Sequence, residues 1–185
     1  MLGDHHMSQK NLFFEGSAHV PLLIMPPQGR SLPHNISVEA PTDLVDIYPT
    51  ILAMAGLSSP VSVSGKNLLE PVPMDRMFFG NSLNKNFCVM EEKVKLVYSA
   101  VGDHVLLFDL NTDPMEQHNL AEDPAWQERK AKLWKLLLEH TAQYTPEALG
   151  ENGQFLTYEA PHFPGDMPGR WLGFHYHDYS VDTFH

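Results

Sequence analysis

Residues 87–110 read FCVMEEKVKLVYSAVGDHVLLFDL. Three short runs rich in apolar residues stand out within them, at 87–90, 93–98 and 105–110. The second opens with polar and apolar residues in alternation, the period of a strand. Gly102-Asp103 separates the last two runs and suits a turn. Three such runs with short links predict an antiparallel meander.

Working toward the C-terminus, residues 111–122 form a polar stretch in which Asp113-Pro114 signals a turn. Asp123-Pro124 then opens a helix well, with Asp at the N-cap and Pro at the first helical position. Trp126, Lys130, Leu133, Trp134, Leu137, Leu138 and Thr141 fall on or near one face. Glu128, Arg129, Lys132 and Lys135 fall mostly on the other, so the spacing predicts an amphipathic helix from Pro124 to Tyr144. Beyond Tyr144, Pro161, Pro164, Gly165, Pro168 and Gly169 break regular structure. Trp171, Phe174, Tyr176, Tyr179 and Phe184 still supply aromatic surface for packing.

Toward the N-terminus, Val20 to Met25 is almost wholly apolar and short, which predicts a strand buried on both faces. Pro26-Pro27 ends it. Thr42 is placed to cap a helix in which Leu44, Ile47, Tyr48, Ile51, Leu52 and Ala55 recur at helical spacing. Pro49 should end or kink that helix, and Gly56 is a natural stop. Residues 57–75 read as a surface loop. The expected architecture is α+β: a piece of a larger sheet domain over 1–75, a small antiparallel sheet with its helix over 76–145, and an irregular tail over 146–185.

The chain has 185 residues, 43% hydrophobic and 19% charged, enough for a domain with a real core. Its net charge of -11 disfavours a broad nucleic-acid surface. Cys88 is the single cysteine, so no intrachain disulfide reports on the redox compartment. No apolar run approaches the ~20 residues that span a membrane, and the opening MLGDHHMSQKN is not a secretory leader. Cytoplasmic and periplasmic locations both stay open. No membrane or nucleic-acid partner is expected.

Four segments in order carry a family resemblance. Leu2-Gly3-Asp4-His5 is followed by Lys10 and by Phe14-Glu15-Gly16-Ser17-Ala18-His19-Val20-Pro21. Asp43-Leu44-Val45-Asp46-Ile47-Tyr48-Pro49-Thr50-Ile51-Leu52 precedes Ala55-Gly56. Ser64-Gly65-Lys66-Asn67-Leu68 comes next, and then Leu107 to Glu116 (LFDLNTDPME) with Asn119-Leu120. Together, over residues 1 to about 140, they resemble the C-terminal part of a sulfatase-type hydrolase of the alkaline-phosphatase superfamily. The likeness is to its choline-sulfatase-like and phosphonate-monoester-hydrolase-like branch.

The resemblance implies a parent enzyme that cleaves sulfate or phosphonate esters with Ca2+ or Mn2+ and a formylglycine nucleophile. It implies that Lys10 contacts the sulfate oxygens, where a fixed ammonium stabilises charge as the sulfuryl group transfers; a solvated surface lysine is the other reading. In the family, Leu-Gly-Asp-His commonly follows a metal-binding Ser-Asp-His-Gly-Glu segment. Asp4-His5 is therefore expected to be a second, non-ligand pair, with a metal pair as the alternative. The nucleophile's Cys/Ser-x-Pro-x-Arg pattern is not matched at Cys88 or at Ser31-Leu32-Pro33-His34-Asn35. This chain alone is accordingly expected to be inactive, cut just after the second metal-ligand motif.

His19 stands where the family usually has arginine, and it offers neither a permanent charge nor a bidentate fork. His175 and His177, two apart, would share a face on a strand and could hold a zinc ion. An aromatic tail packed on this or a neighbouring subunit is the other reading. Relatives' tails, which reach toward a neighbour's active site, point to substrate binding there. Expected partners are a small sulfate ester in the parent enzyme and either further copies of this chain or the upstream half of the enzyme. The alternative to a hydrolase fragment is a non-catalytic binding or oligomerisation module.

Overall fold

The structure, a computed structural model, describes residue 5, residues 12–25 and residues 36–159. It divides into two compact units, one of Met1–Val20 with Phe79–His185 and one of Pro21–Phe78.

The first unit is built on a four-stranded sheet in the order β1-β2-β3-β4: β1 Phe78–Ser82, β2 Asn86–Glu91, β3 Val94–Ser99 and β4 His104–Asp109. The expected meander is present, with one more strand at its leading edge. β2 and β3 pair antiparallel with Phe87 opposite Tyr98 and Val89 opposite Leu96. β3 and β4 continue with Leu96 opposite Leu107 and Lys95 opposite Phe108. Glu92 and Lys93 join β2 to β3 with φ of 52° and 64°. Two consecutive positive φ values give the turn a twist that matches a hairpin. Gly102 and Asp103, at φ 78° and 57°, close the next turn where expected.

Helix α3, Gln127–Tyr144, lies on one face of this sheet. Asp123 caps the short 3-10 turn that leads into it, accepting from the Ala125 amide at 2.8 Å. Leu133 and Leu137 pack with Phe87, Val89, Leu96, Tyr98 and Leu107. These strand residues alternate, as the pleat requires of a single face. Phe155, beyond the helix, completes an aromatic group with Phe87, Tyr98 and Trp134 at centroid distances of 4.5, 4.7 and 5.5 Å. The sequence reading placed 155 in an irregular stretch and missed this anchor.

The run that forms β3 opens with polar and apolar residues in alternation. All six residues of β3 are buried. The second face carries Cys88, Val97, Leu106 and Phe108, all buried, and Phe14 packs against Phe108 at 5.9 Å. Leu12 and Phe14 are buried too. Phe13 lies so close over Gly80 that a β-carbon there would collide with its ring. The N-terminal segment thus covers this second face.

The second unit is organised by one buried carboxylate. Asp43 starts a 3-10 turn, Leu44–Asp46, which runs into helix α2, Ile47–Ala55. The cap is Asp43 rather than Thr42, because Asp43 and Asp46 satisfy each other's backbone amides reciprocally. Pro49 is accommodated in the first turn of α2, where its missing N–H has no helical acceptor in any case. Gly56 ends the helix in the left-handed conformation with φ 74°, as expected. The apolar spacing, however, does not mark a buried face. Leu44, Tyr48 and Ile51 are exposed, while Asp46 and Thr50 are buried.

Asp46 receives the Arg76 guanidinium at 2.6 and 2.9 Å and the Lys66 amide at 2.7 Å. Thr50 Oγ1 accepts from the Leu68 amide at 2.9 Å. A side chain at Gly65 would run into the Val45 carbonyl. The 43–52 and 64–68 segments are therefore knitted together by Asp46 and Thr50.

Residues 21–25 form no strand. They carry no regular structure, and Leu23 is 91% and Met25 87% exposed. A strand needs a hydrogen-bonding neighbour, and no described strand pairs with this segment.

Burial tends to raise the Asp46 carboxyl, but the Arg76 fork and the Lys66 and Asp43 amides outweigh it and hold it below its ordinary value. Its contribution is complete above the ordinary aspartate range and fades as acid protonates it below that range. Arg76→Ala strands this carboxylate in the interior and is expected to cost residues 21–78 about 3 kcal/mol, measured by urea unfolding at neutral pH. At a pH low enough to protonate Asp46 in both states, the difference between the two proteins should shrink.

Candidate functional site

Lys95 projects from β3 onto the face covered by the N-terminal segment, and its side chain is 3% exposed. A buried ammonium is tolerated only with charged or hydrogen-bonding partners. Its Nζ lies 2.6 Å from Glu15 Oε1 and 2.7 Å from Glu116 Oε1, and it donates to the Phe13 carbonyl at 2.8 Å. Glu116, 1% exposed, also accepts the Glu15 backbone amide at 2.6 Å. Burial pulls the ammonium's pKa down, but Glu116 above all, with Glu15, more than reverses this, so it lies above the ordinary lysine value. The charge therefore persists through neutral pH and would be lost only under strong alkali.

Glu15 opens α1, Glu15–Ala18, whose first amides have no helical acceptor. Glu116 supplies one, and its negative charge suits that end. Glu116 itself adopts φ 55°, a region that side-chain-bearing residues seldom occupy.

The loop that presents Glu116 is built by its own polar residues. Asp109 accepts from the Asn111 amide at 3.0 Å and from Thr112 Oγ1 at 3.1 Å. Asp113 accepts from the Glu116 amide through its carbonyl at 3.1 Å and from the His118 amide through its carboxylate at 2.8 Å. Asn119 Oδ1 accepts from the Leu107 amide at 2.9 Å and the Ala121 amide at 3.0 Å. The Leu120 amide donates back to the Leu107 carbonyl at 2.8 Å. Asn119-Leu120 thus pairs with the outer edge of β4, which would otherwise be open.

Lys10, Asp4, His175 and His177 lie outside the described residues. His5 is described: it adopts φ 53° and stacks on Phe14 with ring centroids 4.0 Å apart. Among the described residues, no group of three His, Cys, Asp or Glu side chains is placed to hold a metal ion. His19 is exposed and sits 2.9 Å from Glu15 Oε2. Cys88 is fully buried, and burial pushes its thiol up to about 12. A thiol so placed carries almost no thiolate at neutral pH and is inaccessible to an ester. It does not fit a nucleophile's position. The sequence reading did not single out Lys95 or Glu116; a lysine inside an apolar strand was the available signal.

Residues 3–143 match the family described as N-sulphoglucosamine sulphohydrolase, C-terminal. The chain belongs to this sulfatase family. It is 38% identical over 136 residues to a choline-sulfatase of Rhizobium meliloti, covering 67% of this chain and 25% of that protein. It is 34% identical over 137 residues to an arylsulfatase K of Bos taurus, covering 64% and 25%. The chain thus spans about a quarter of the length of these curated relatives. Among solved structures it overlaps the phosphonate monoester hydrolase of Agrobacterium radiobacter at 27% identity, covering 63% of this chain and 29% of that one, with a TM-score of 0.44. It overlaps a 2-O GAG sulfatase at 22% identity, covering 57% and 26%, with a TM-score of 0.47.

In this sulfatase domain, the LFDLNTDPME…NL segment has a concrete physical task. Asp109, Asp113 and Asn119 shape the loop, and Glu116 reaches from it into the interior. Asn119→Ala removes one acceptor from two amides, both on buried residues, and is expected to cost about 1–3 kcal/mol in urea unfolding. Asn119→Asp keeps the acceptor oxygen and should lose distinctly less.

Proposed function

We propose that this chain is the C-terminal portion of a hydrolase that cleaves sulfate, or phosphonate, esters, and that it does not catalyse alone. The family match across residues 3–143 carries the reading. Support for inactivity comes from the sequence and the site together. No Cys/Ser-x-Pro-x-Arg is present, and the one cysteine is an inaccessible, protonated thiol. In the intact enzyme, formylglycine would supply the nucleophile and Ca2+ or Mn2+ the charge compensation. Neither is assigned to residues of this chain; Asp4 and His5 remain the weaker metal alternative.

The residue proposed to act on substrate is Lys10, as the cation on the sulfate oxygens. His175 and His177 are proposed to contact substrate through a tail that reaches a neighbouring site. Lys95 of the described site does not compete with Lys10 for this role, since it is already paired with two carboxylates.

A non-catalytic binding or oligomerisation module is the second reading. The exposure of Leu22, Leu23, Ile24 and Met25 and of Leu44, Tyr48 and Ile51 favours a macromolecular partner under either reading. That partner is the upstream part of the enzyme or further copies of this chain.

Two measurements test these statements. The 185-residue chain, assayed on an aryl sulfate with added Ca2+ or Mn2+, is expected to show no turnover above buffer; metal-dependent turnover overturns the assignment. In light scattering it is expected to self-associate or precipitate, whereas a stable monodisperse monomer counts against the partner.

A further inference from the structure

We infer that the cleft between β1 and the C-terminal end of α3 binds a small uncharged aromatic ring carrying a hydroxyl group, a phenol in chemical class, with His140 as its hydrogen-bond partner. The inference rests on the geometry of this cleft, and on neither the assignment of Lys10 nor the ester-hydrolase reading.

Leu137, His140, Thr141 and Tyr144 recur along α3 at the spacing of one helix face. Leu137 and Thr141 are buried, while Tyr144 is 57% exposed, so this face leaves the core as the helix ends. Thr141 is short, and its hydroxyl turns back to donate to the Leu137 carbonyl at 2.8 Å. With Phe79 of β1 and Phe87 of β2, these residues line a cavity of about 150 Å3. Apolar cavities of about that size accept a benzene ring.

The aromatic walls suit a ring. His140 lies flat on Phe79, with centroids 3.9 Å apart and planes 8° from parallel. Tyr144 stands 4.6 Å from His140 at 41°. Phe87 is fixed behind them by its contacts with Tyr98 and Phe155. A ring entering here can make the offset or edge-on contacts that aromatic groups favour. The stack on Phe79 also fixes the plane in which the His140 nitrogens point.

The polar groups of the wall select the kind of ring. None of the described lining residues is an acid, a lysine or an arginine. Burial holds His140 below the ordinary histidine value, so its imidazole is neutral at neutral pH. An ionic ligand would enter without a counter-charge. Among the described residues, neither ring nitrogen of His140 has a hydrogen-bond partner. A neutral imidazole has one donor and one acceptor nitrogen, and a hydroxyl group can satisfy either.

Saturation transfer from the 185-residue chain to phenol tests the site, because a signal observed on the ligand tolerates self-association of the protein. Transfer to phenol is expected to saturate. Benzene should need about fivefold more, the worth of one hydrogen bond, and tetramethylammonium should give none. His140→Phe keeps a ring on Phe79 but removes both nitrogens, and should bring phenol and benzene to equal affinity. A histidine that only packs would leave the preference for phenol unchanged. Thr145→Met extends a longer side chain from the lining into the cavity and should abolish saturable transfer to both rings, with a thermal melt showing that the fold is kept.

Absence of saturable transfer to phenol in the parent overturns the site. Persistence of that transfer in a folded Thr145→Met protein puts the probe elsewhere and overturns the location. A phenol preference that survives in His140→Phe overturns the role of His140, and decides the matter even if Thr145→Met does not fold. Tighter binding of tetramethylammonium than of phenol overturns the uncharged class.

Discussion

A buried ammonium is the constraint on which the sheet unit depends. Lys95 sits in an inner strand of its sheet, 2% exposed, where an unpaired charge would be untenable. Its partners come from sequence positions 80 residues upstream and 21 downstream: Glu15 on a four-residue helix and Glu116 on a loop. Satisfying one side chain therefore requires three distant segments to arrive together. The sheet acquires two covered faces as a result, α3 on one and the Leu12–Phe14 stretch on the other.

The second unit repeats the device with opposite sign. Asp46 is fully buried and gathers Arg76, the Lys66 amide and the Asp43 amide. Buried ion pairs of this kind add little stability over an apolar substitute, but removing one partner is costly. They therefore restrict which arrangements are tolerable more than they deepen the well. This is consistent with their location at crossings between segments rather than within a helix or strand.

Much of the fold was legible in local sequence. The strands of 87–110 followed from apolar runs and turn residues, the helix to Tyr144 from its cap and period, and Gly56 from its place after a helical run. These features rest on contacts between near neighbours. The failures have a common origin. Helical spacing at Leu44, Tyr48 and Ile51 marked an apolar face, yet that face is exposed while Asp46 and Thr50 are buried. Val20–Met25 had the composition of a strand but has no strand beside it. Periodicity reports which side chains avoid water; it does not supply the surface that covers them. Family resemblance, resting on four ordered segments, was also legible and agrees with the match over residues 3–143.

By itself, the sequence determined the element types of the small sheet unit, its helix caps, its sulfatase kinship and the lack of a recognisable nucleophile motif. Only the tertiary structure decided that Lys95 is a buried junction and that Glu116 is its partner. The physical reason is distance along the chain. Turns, caps and periods are written within a few residues, whereas the environment of a charge is set by whichever segments fold over it, here from residues 13–15 and 116.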